Sequence, residues 1–149
     1  LWDALLSGGG YAAYCGEYDL PVGGDLTIED FRSRENAWFD LRVAHDFIAD
    51  LNFWALEPAD EYISGESTAF GGAEGAFDLA GQVVVYFPDA SNTGMLDMSG
   101  MGGSWVSKWF DPRNAVWHQG DAIDSGGQHE VGPPPNSPNE DWVLLLDLL

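Results

Sequence analysis

Two groups of side chains in this 149-residue sequence have the types and spacing to do chemistry. Tyr14, Glu17, Tyr18 and Asp19 bring two phenol rings and two carboxylates into one short polar stretch. Neighbouring carboxylates can divide acid and base work if water is excluded and their pKa values are set apart. The stretch by itself supplies neither condition, so no catalytic role is assigned to Glu17 or Asp19. The second group is Trp105, Trp109, Trp117 and Trp142, whose indole faces suit stacking on sugar rings. Alternation along Trp105-Val-Ser-Lys-Trp109 puts two of these rings on one strand face with Ser107, which the core of a β-sandwich also requires. Core packing is the simpler role for Trp105 and Trp142. Trp117, beside His118 and Gln119 at a strand end, is the best candidate for an exposed aromatic.

Other chemically notable residues read as structural. His45, His118 and His129 lack metal-ligand spacing with one another. Cys15 is the single cysteine, so neither an internal disulfide nor a thiolate zinc cluster can form, and it has no histidine partner as a nucleophile. Glu29, Asp30, Arg32 and Arg34 fit an arginine–carboxylate clamp on a long loop, or alternatively a contact to an anionic sugar. Asp111-Pro-Arg113 reads as a β-turn with proline at its second position.

These residues must be carried by two kinds of structure. Leu1, Trp2, Leu5 and Leu6 form a buried helical stripe that the glycines at 8–10 end, and the apolar stretch 11–15 suits a buried strand. A polar loop over 16–34 leads to the clearest helix, 35–51. Ala37, Leu41, Ala44, Ile48 and Leu51 share one face there, widened by Trp38 and Phe47. Ser33 is the expected N-cap, and Arg42 and Asp46 pair one turn apart. Beyond a Gly-, Ser- and Thr-rich stretch at 64–75, the pattern predicts short strands near 67–70, 75–79, 82–87, 94–98, 104–110, 115–118, 128–131 and 142–147. Turn signals separate them, as in a small antiparallel sandwich.

The charge is lopsided: 25 Asp and Glu stand against 5 Lys and Arg, a formal net charge of −20. Such a surface repels nucleic-acid phosphates and anionic lipid heads, which argues against both as partners. Solubility or life in concentrated salt accounts for it. Calcium binding is the sharper alternative, but no stretch has the Asp-x-Asp-x-Asp-Gly ligand order. No apolar run approaches the ~20 residues that span a bilayer. No cofactor is expected. The opening inside a helix-like segment carries the expectation that further sequence precedes it.

Several segments resemble one kind of secreted bacterial protein. Leu-Trp-x-x-Leu-x-x-Gly-Gly at 1–9, Asp-Leu-Thr-Ile-Glu-Asp-Phe-Arg-Ser-Arg at 25–34, Phe53-Trp54 and Pro58 resemble the last part of a glycoside-hydrolase-like (β/α)8 barrel of the DUF5060 and DUF4038 type. Val-Val-Val-Tyr-Phe-Pro at 83–88, Leu-Asp-Met-Ser-Gly at 96–100, Trp-Phe-Asp-Pro-Arg at 109–113 and Glu-Asp-Trp-Val-Leu-Leu at 140–145 are similar to the "putative collagen-binding domain of a collagenase" that follows such barrels. Nothing in these residues points to collagen itself.

The resemblance implies an α+β chain. Residues 1–62 would be the C-terminal fragment of a (β/α)8 barrel, its last strand and helix, and 63–149 a small antiparallel β-sandwich. Barrel active sites form at the carboxyl ends of the strands, so Tyr14, Glu17, Tyr18 and Asp19 would line a sugar subsite. Trp117 is the sandwich's candidate. The catalytic carboxylates would lie on strands outside this chain. The expected parent acts on polysaccharide in the extracellular space or periplasm. The expected partner of the chain is the missing amino-terminal barrel portion, or a second copy, because a severed barrel end exposes apolar helix faces. A non-catalytic carbohydrate- or protein-binding module is the competing expectation.

Overall fold

The computed structural model describes residues 1–9 and 35–149. The strand expected at 11–15, the loop behind it with its arginine–carboxylate clamp, and the Ser33 cap lie outside the described residues.

Helix α1 (Trp2–Leu6) ends where the Ser7 hydroxyl donates to the Asp3 carbonyl at 2.6 Å. Gly8 follows at φ 76°, a left-handed turn in which an added Cβ would also meet Pro58 at 3.1 Å. Helix α2 (Glu35–Ala49) has an acidic first turn, which suits the positive end of the helix dipole. The expected Arg42–Asp46 pair forms on its wet side, 3.8 Å apart.

Nine strands follow: β1 (Glu57–Pro58), β2 (Ile63–Ser64), β3 (Glu74–Asp78), β4 (Gln82–Phe87), β5 (Met95–Asp97), β6 (Ser104–Asp111), β7 (Val116–Asp124), β8 (Gln128–Glu130) and β9 (Trp142–Leu148). They form two antiparallel sheets, one in the order β1-β3-β4-β9-β6-β7 and one in the order β2-β5-β8. The two apolar runs of the sequence are β4 and β9, paired from Gln82↔Asp147 to Phe87↔Trp142 at the centre of the large sheet.

Those runs are continuous rather than alternating because both faces of the large sheet are covered. On one face Val83, Val85, Phe87, Trp105, Trp109, Trp142, Leu144 and Leu146 meet Ile63 and Leu96 of the small sheet. On the other, Ala76, Val84, Phe110, Val143 and Leu145 meet Trp2 and Leu6 of α1 and Val43, Ala44 and Phe47 of α2. The architecture is thus helix layer, six-stranded sheet, three-stranded sheet: a mostly antiparallel α+β fold with few helices. Trp105 and Trp142 are core residues as expected, and Trp109 shares their face as the alternation with Trp105 suggested.

Three expectations need correction. The segment expected as a strand at 67–70 is instead a short 3-10 turn over Ala69–Gly71, with Phe70 exposed at φ 58°. The helix stripe is buried only in its later turns: Ala44 and Phe47 are buried as expected with Val43 beside them, Ile48 and Leu51 pack half-buried on the same core, and Ala37 and Trp38 in the first turn face solvent. The reason is the aromatic surface below, where Phe47 lies 5.1 Å from Trp2 and 5.0 Å from Phe110 between ring centres. Finally, the helices are not left with all their apolar surface uncovered, because the sheet provides a second apolar face that buries one side of them. β1 pairs Glu57 with Phe77 across the boundary expected at 62/63.

Candidate functional site

The pleat decides which side chains of the large sheet share a face with the helices. The register pairs Phe110 with Trp117 and Lys108 with Gln119 between β6 and β7, Lys108 with Leu145 between β6 and β9, and Gln82 with Asp147 between β4 and β9. All of these point to the helix side of the sheet. α2 sets Phe47 on the end of that face that carries Phe110 and Trp117. After Ala49 the chain turns away through Asp50, Leu51 and Asn52, leaving a groove of about 530 Å³. Asp50 and Leu51 form its rim; Gln82, Lys108, Gln119, Leu145 and Asp147 form its floor, and Trp117, with His118 next to it, its end wall.

Each polar group of the floor is held in place. The Asn52 backbone N–H donates to Gln82 Oε1 at 2.8 Å, which fixes the exit of the chain from α2. Gln82 Nε2 donates to Asp147 Oδ1 at 2.9 Å, and Lys108 Nζ donates to Asp147 Oδ2 at 3.0 Å. Trp117 is 42% exposed. Its ring stacks on Phe47 at 5.3 Å between centroids, 15° from parallel, and meets Phe110 at 4.8 Å. The helix therefore acts on the groove through one ring, with Phe47 buttressing the wall. A β-bulge helps to place the floor: between Val106 and Lys108 the register shifts, so that Ser107 opposes both Gly120 and Asp121. The Ser107 hydroxyl donates to the Asp121 carbonyl at 2.7 Å. A Cβ on Gly120 would collide with that hydroxyl, so the bulge requires glycine.

A second polar cluster lies at the Asp-Pro-Arg turn. Asp111 is buried and accepts from the Arg113 backbone N–H at 3.0 Å, Arg113 Nε at 2.8 Å and Asn114 Nδ2 at 2.9 Å. Arg113 also reaches Glu140 at 3.4 Å and Asp141 at 3.6 Å, and lies over the Trp142 ring at 5.3 Å. Burial works to raise the Asp111 carboxyl, but the hydrogen bonds from Arg113 and Asn114 and the guanidinium charge outweigh it and hold the group below its ordinary range. Burial dominates at Asp141, which is held above that range despite Arg113, and it also raises the Tyr86 hydroxyl beside Asp141. This cluster ties the turn after β6 to the start of β9. Its members are bonded chiefly to one another, while Tyr86, Arg113 and Asp141 also border a shallow pocket of about 240 Å³ with Trp2, Asp3 and Asp40.

Of the site residues expected from sequence, Trp117 stands at the groove. Tyr14, Glu17, Tyr18 and Asp19 lie outside the described residues. Sequence reasoning missed Gln82, Lys108, Gln119 and Asp147. The available signal was their position: Lys108 alternates with the core residues Ser107 and Trp109, and Gln82 and Asp147 close the two apolar runs. Among the described residues no three His, Cys, Asp or Glu side chains are grouped to hold a metal ion. Chemically the groove offers a ring, an amide, an ammonium group and carboxylates within one shallow surface. Asp147 is committed to Lys108 and Gln82, so it is an acceptor rather than a free acid or base.

Among curated proteins none matches the chain. Among solved structures, one titled "Glycoside hydrolase" superposes with a TM-score of 0.65 at 15% identity, over 87% of this chain and 30% of its own length. A glycoside hydrolase family 5 structure from Bacteroides vulgatus superposes with a TM-score of 0.62 at 16% identity, over 76% of this chain and 24% of its own. At such identities the likeness is one of fold, and this chain spans less than a third of either structure. A family model matches residues 73–147, the segment from the start of the sandwich's central strands to β9. That match spans more than half of the 149 residues, and the chain belongs to the family described as "Putative collagen-binding domain of a collagenase".

Proposed function

We propose that this chain is the carboxyl-terminal portion of a secreted glycoside-hydrolase-like protein that acts on polysaccharide. The catalytic carboxylates would lie outside the chain, and the β-sandwich would be its accessory, stabilising domain. The observation that carries this reading is an apolar groove left open along α2. Leu1, Leu5, Leu41, Ile48, Leu51 and Phe53, each only half-buried, line this groove of about 450 Å³, and Trp54 at its edge is 95% exposed. Apolar surface left open in this way beside a helix packed on a sheet suits a second layer. The sheet is the first. A (β/α)8 barrel of the DUF5060 and DUF4038 type is the other in this proposal, supported by the large share of the glycoside hydrolase structures that this chain does not cover. A polysaccharide substrate puts the protein in the extracellular space or the periplasm.

The test is hydrolysis by a polypeptide that joins this chain to its barrel, assayed on neutral and anionic polysaccharides by release of reducing ends. Activity on at least one of them is expected. Inactivity on all would overturn the proposal.

A further inference from the structure

We infer that the groove beyond the carboxyl end of α2 is a carbohydrate-binding site, and that it takes an uncharged sugar chain. This goes beyond the reading above, because it assigns binding to the accessory domain itself, whatever the barrel does. This groove and the apolar groove along α2 share only Leu51 among their lining residues, so a layer seated on the apolar one leaves the rest of this groove to another occupant.

Three observations bear on the ligand. The groove volume of about 530 Å³ falls in the ~300–1,000 Å³ range of small-molecule sites. Its wall is a partly exposed indole whose orientation is set by Phe47 and Phe110 rather than left to rotate. Its floor presents polar groups whose directions are fixed by mutual hydrogen bonds, with Gln119 exposed beside them. A sugar unit has a C–H face and an edge of hydroxyls that both donate and accept. It therefore satisfies a ring and a row of amide, ammonium and carboxylate groups together, where a purely apolar ligand would strand the floor. Preset groups also reduce the ordering cost of binding.

Charge then selects the class of sugar. Lys108 is the one lysine of the chain, and Asp147 occupies it at 3.0 Å. With Asp50 on the rim, the groove has carboxylates in excess of its lysine, set on a chain of net charge −20. A uronic or sulfated unit would be repelled, whereas neutral hydroxyls can donate to Asp147 and Asp50.

The experiment is calorimetric titration of the full chain with hexasaccharides of β-1,4-linked glucose, mannose and xylose, and with galacturonate hexasaccharide as the anionic probe. At least one neutral probe should bind, and the galacturonate should bind at least tenfold more weakly. Trp117→Ala should weaken binding by at least tenfold. Because Trp117 also packs on Phe47, exposed Gln119→Ala is the second variant: it should weaken binding about threefold to tenfold, the worth of one hydrogen bond, with an unchanged unfolding midpoint. The proposal is overturned if no neutral probe binds, if galacturonate binds as tightly, or if both variants bind like the parent chain. The hydrolysis assay has a separate readout, so failure of either proposal leaves the other standing.

Discussion

Replacing Phe47 by alanine tests whether the helix layer and the sheet form one packed unit. Phe47 is 3% exposed and touches three rings: Trp2 edge-on at 5.1 Å, Phe110 at 5.0 Å and Trp117 in a stack at 5.3 Å. Truncating a buried phenylalanine costs about 3–5 kcal/mol through lost transfer energy and the cavity left behind. Three aromatic pairs put this site toward the upper end, since each adds ~0.5–1.5 kcal/mol beyond area burial. With a urea m-value of about 2 kcal/mol per molar, Phe47→Ala should lower the unfolding midpoint by roughly 2 M. Phe47→Leu keeps most of the volume and loses the ring pairs, so about half of that loss is expected. The measurement is urea unfolding followed by circular dichroism, with sugar titration of the folded variant. Because Phe47 supports Trp117, sugar affinity should fall along with stability. A destabilisation below about 0.5 kcal/mol, the level of an ordinary surface change, would refute the packing described for α2 and with it the account of the groove wall.

Two further outcomes follow from the charges. Burial holds the Asp141 carboxyl above its ordinary value, so its ionised form is disfavoured in the folded chain at neutral pH, and that cost disappears as pH falls through the raised value. Asp141→Asn should therefore raise the melting midpoint at pH 7, with the gain shrinking toward pH 4. Asp111→Asn should do the reverse, because a carboxyl held below its unfolded value of ~3.9 contributes stability above that value and loses it in acid. Melting curves of the two variants from pH 7 down to about pH 2 check both signs, since the Asp111 contribution is lost only below ~3.9, and identical curves for the two would refute the assignment. A net charge of −20 should make the chain more stable in salt, since the screening length falls from ~10 Å at 0.1 M to ~3 Å at 1 M. A melting midpoint that stays level between those concentrations would refute self-repulsion as a significant destabilising force.

Elements whose signals are local could be read from residue order. The apolar runs that became β4 and β9, the turn chemistry between the strands, and the 3.6-residue period of α2 were legible because each is written in neighbouring residues. The core role of Trp105 followed from period-two alternation, and that of Trp142 agreed with its place at the head of an apolar run. Pairing at a distance emerged only from the packed fold. Strand order in the sheet brings Gln82 beside Asp147 and Lys108, residues far apart along the chain, and no local pattern records that adjacency. The choice of which part of the α2 stripe is buried had the same origin. Its apolar stripe carries both Trp38 and Phe47, and the ring surface formed by Trp2, Phe110 and Trp117 selected Phe47 over Trp38 for burial. The groove likewise exists because α2 stops at Ala49 while the sheet continues beneath it, a mismatch of lengths that appears only when the layers are stacked.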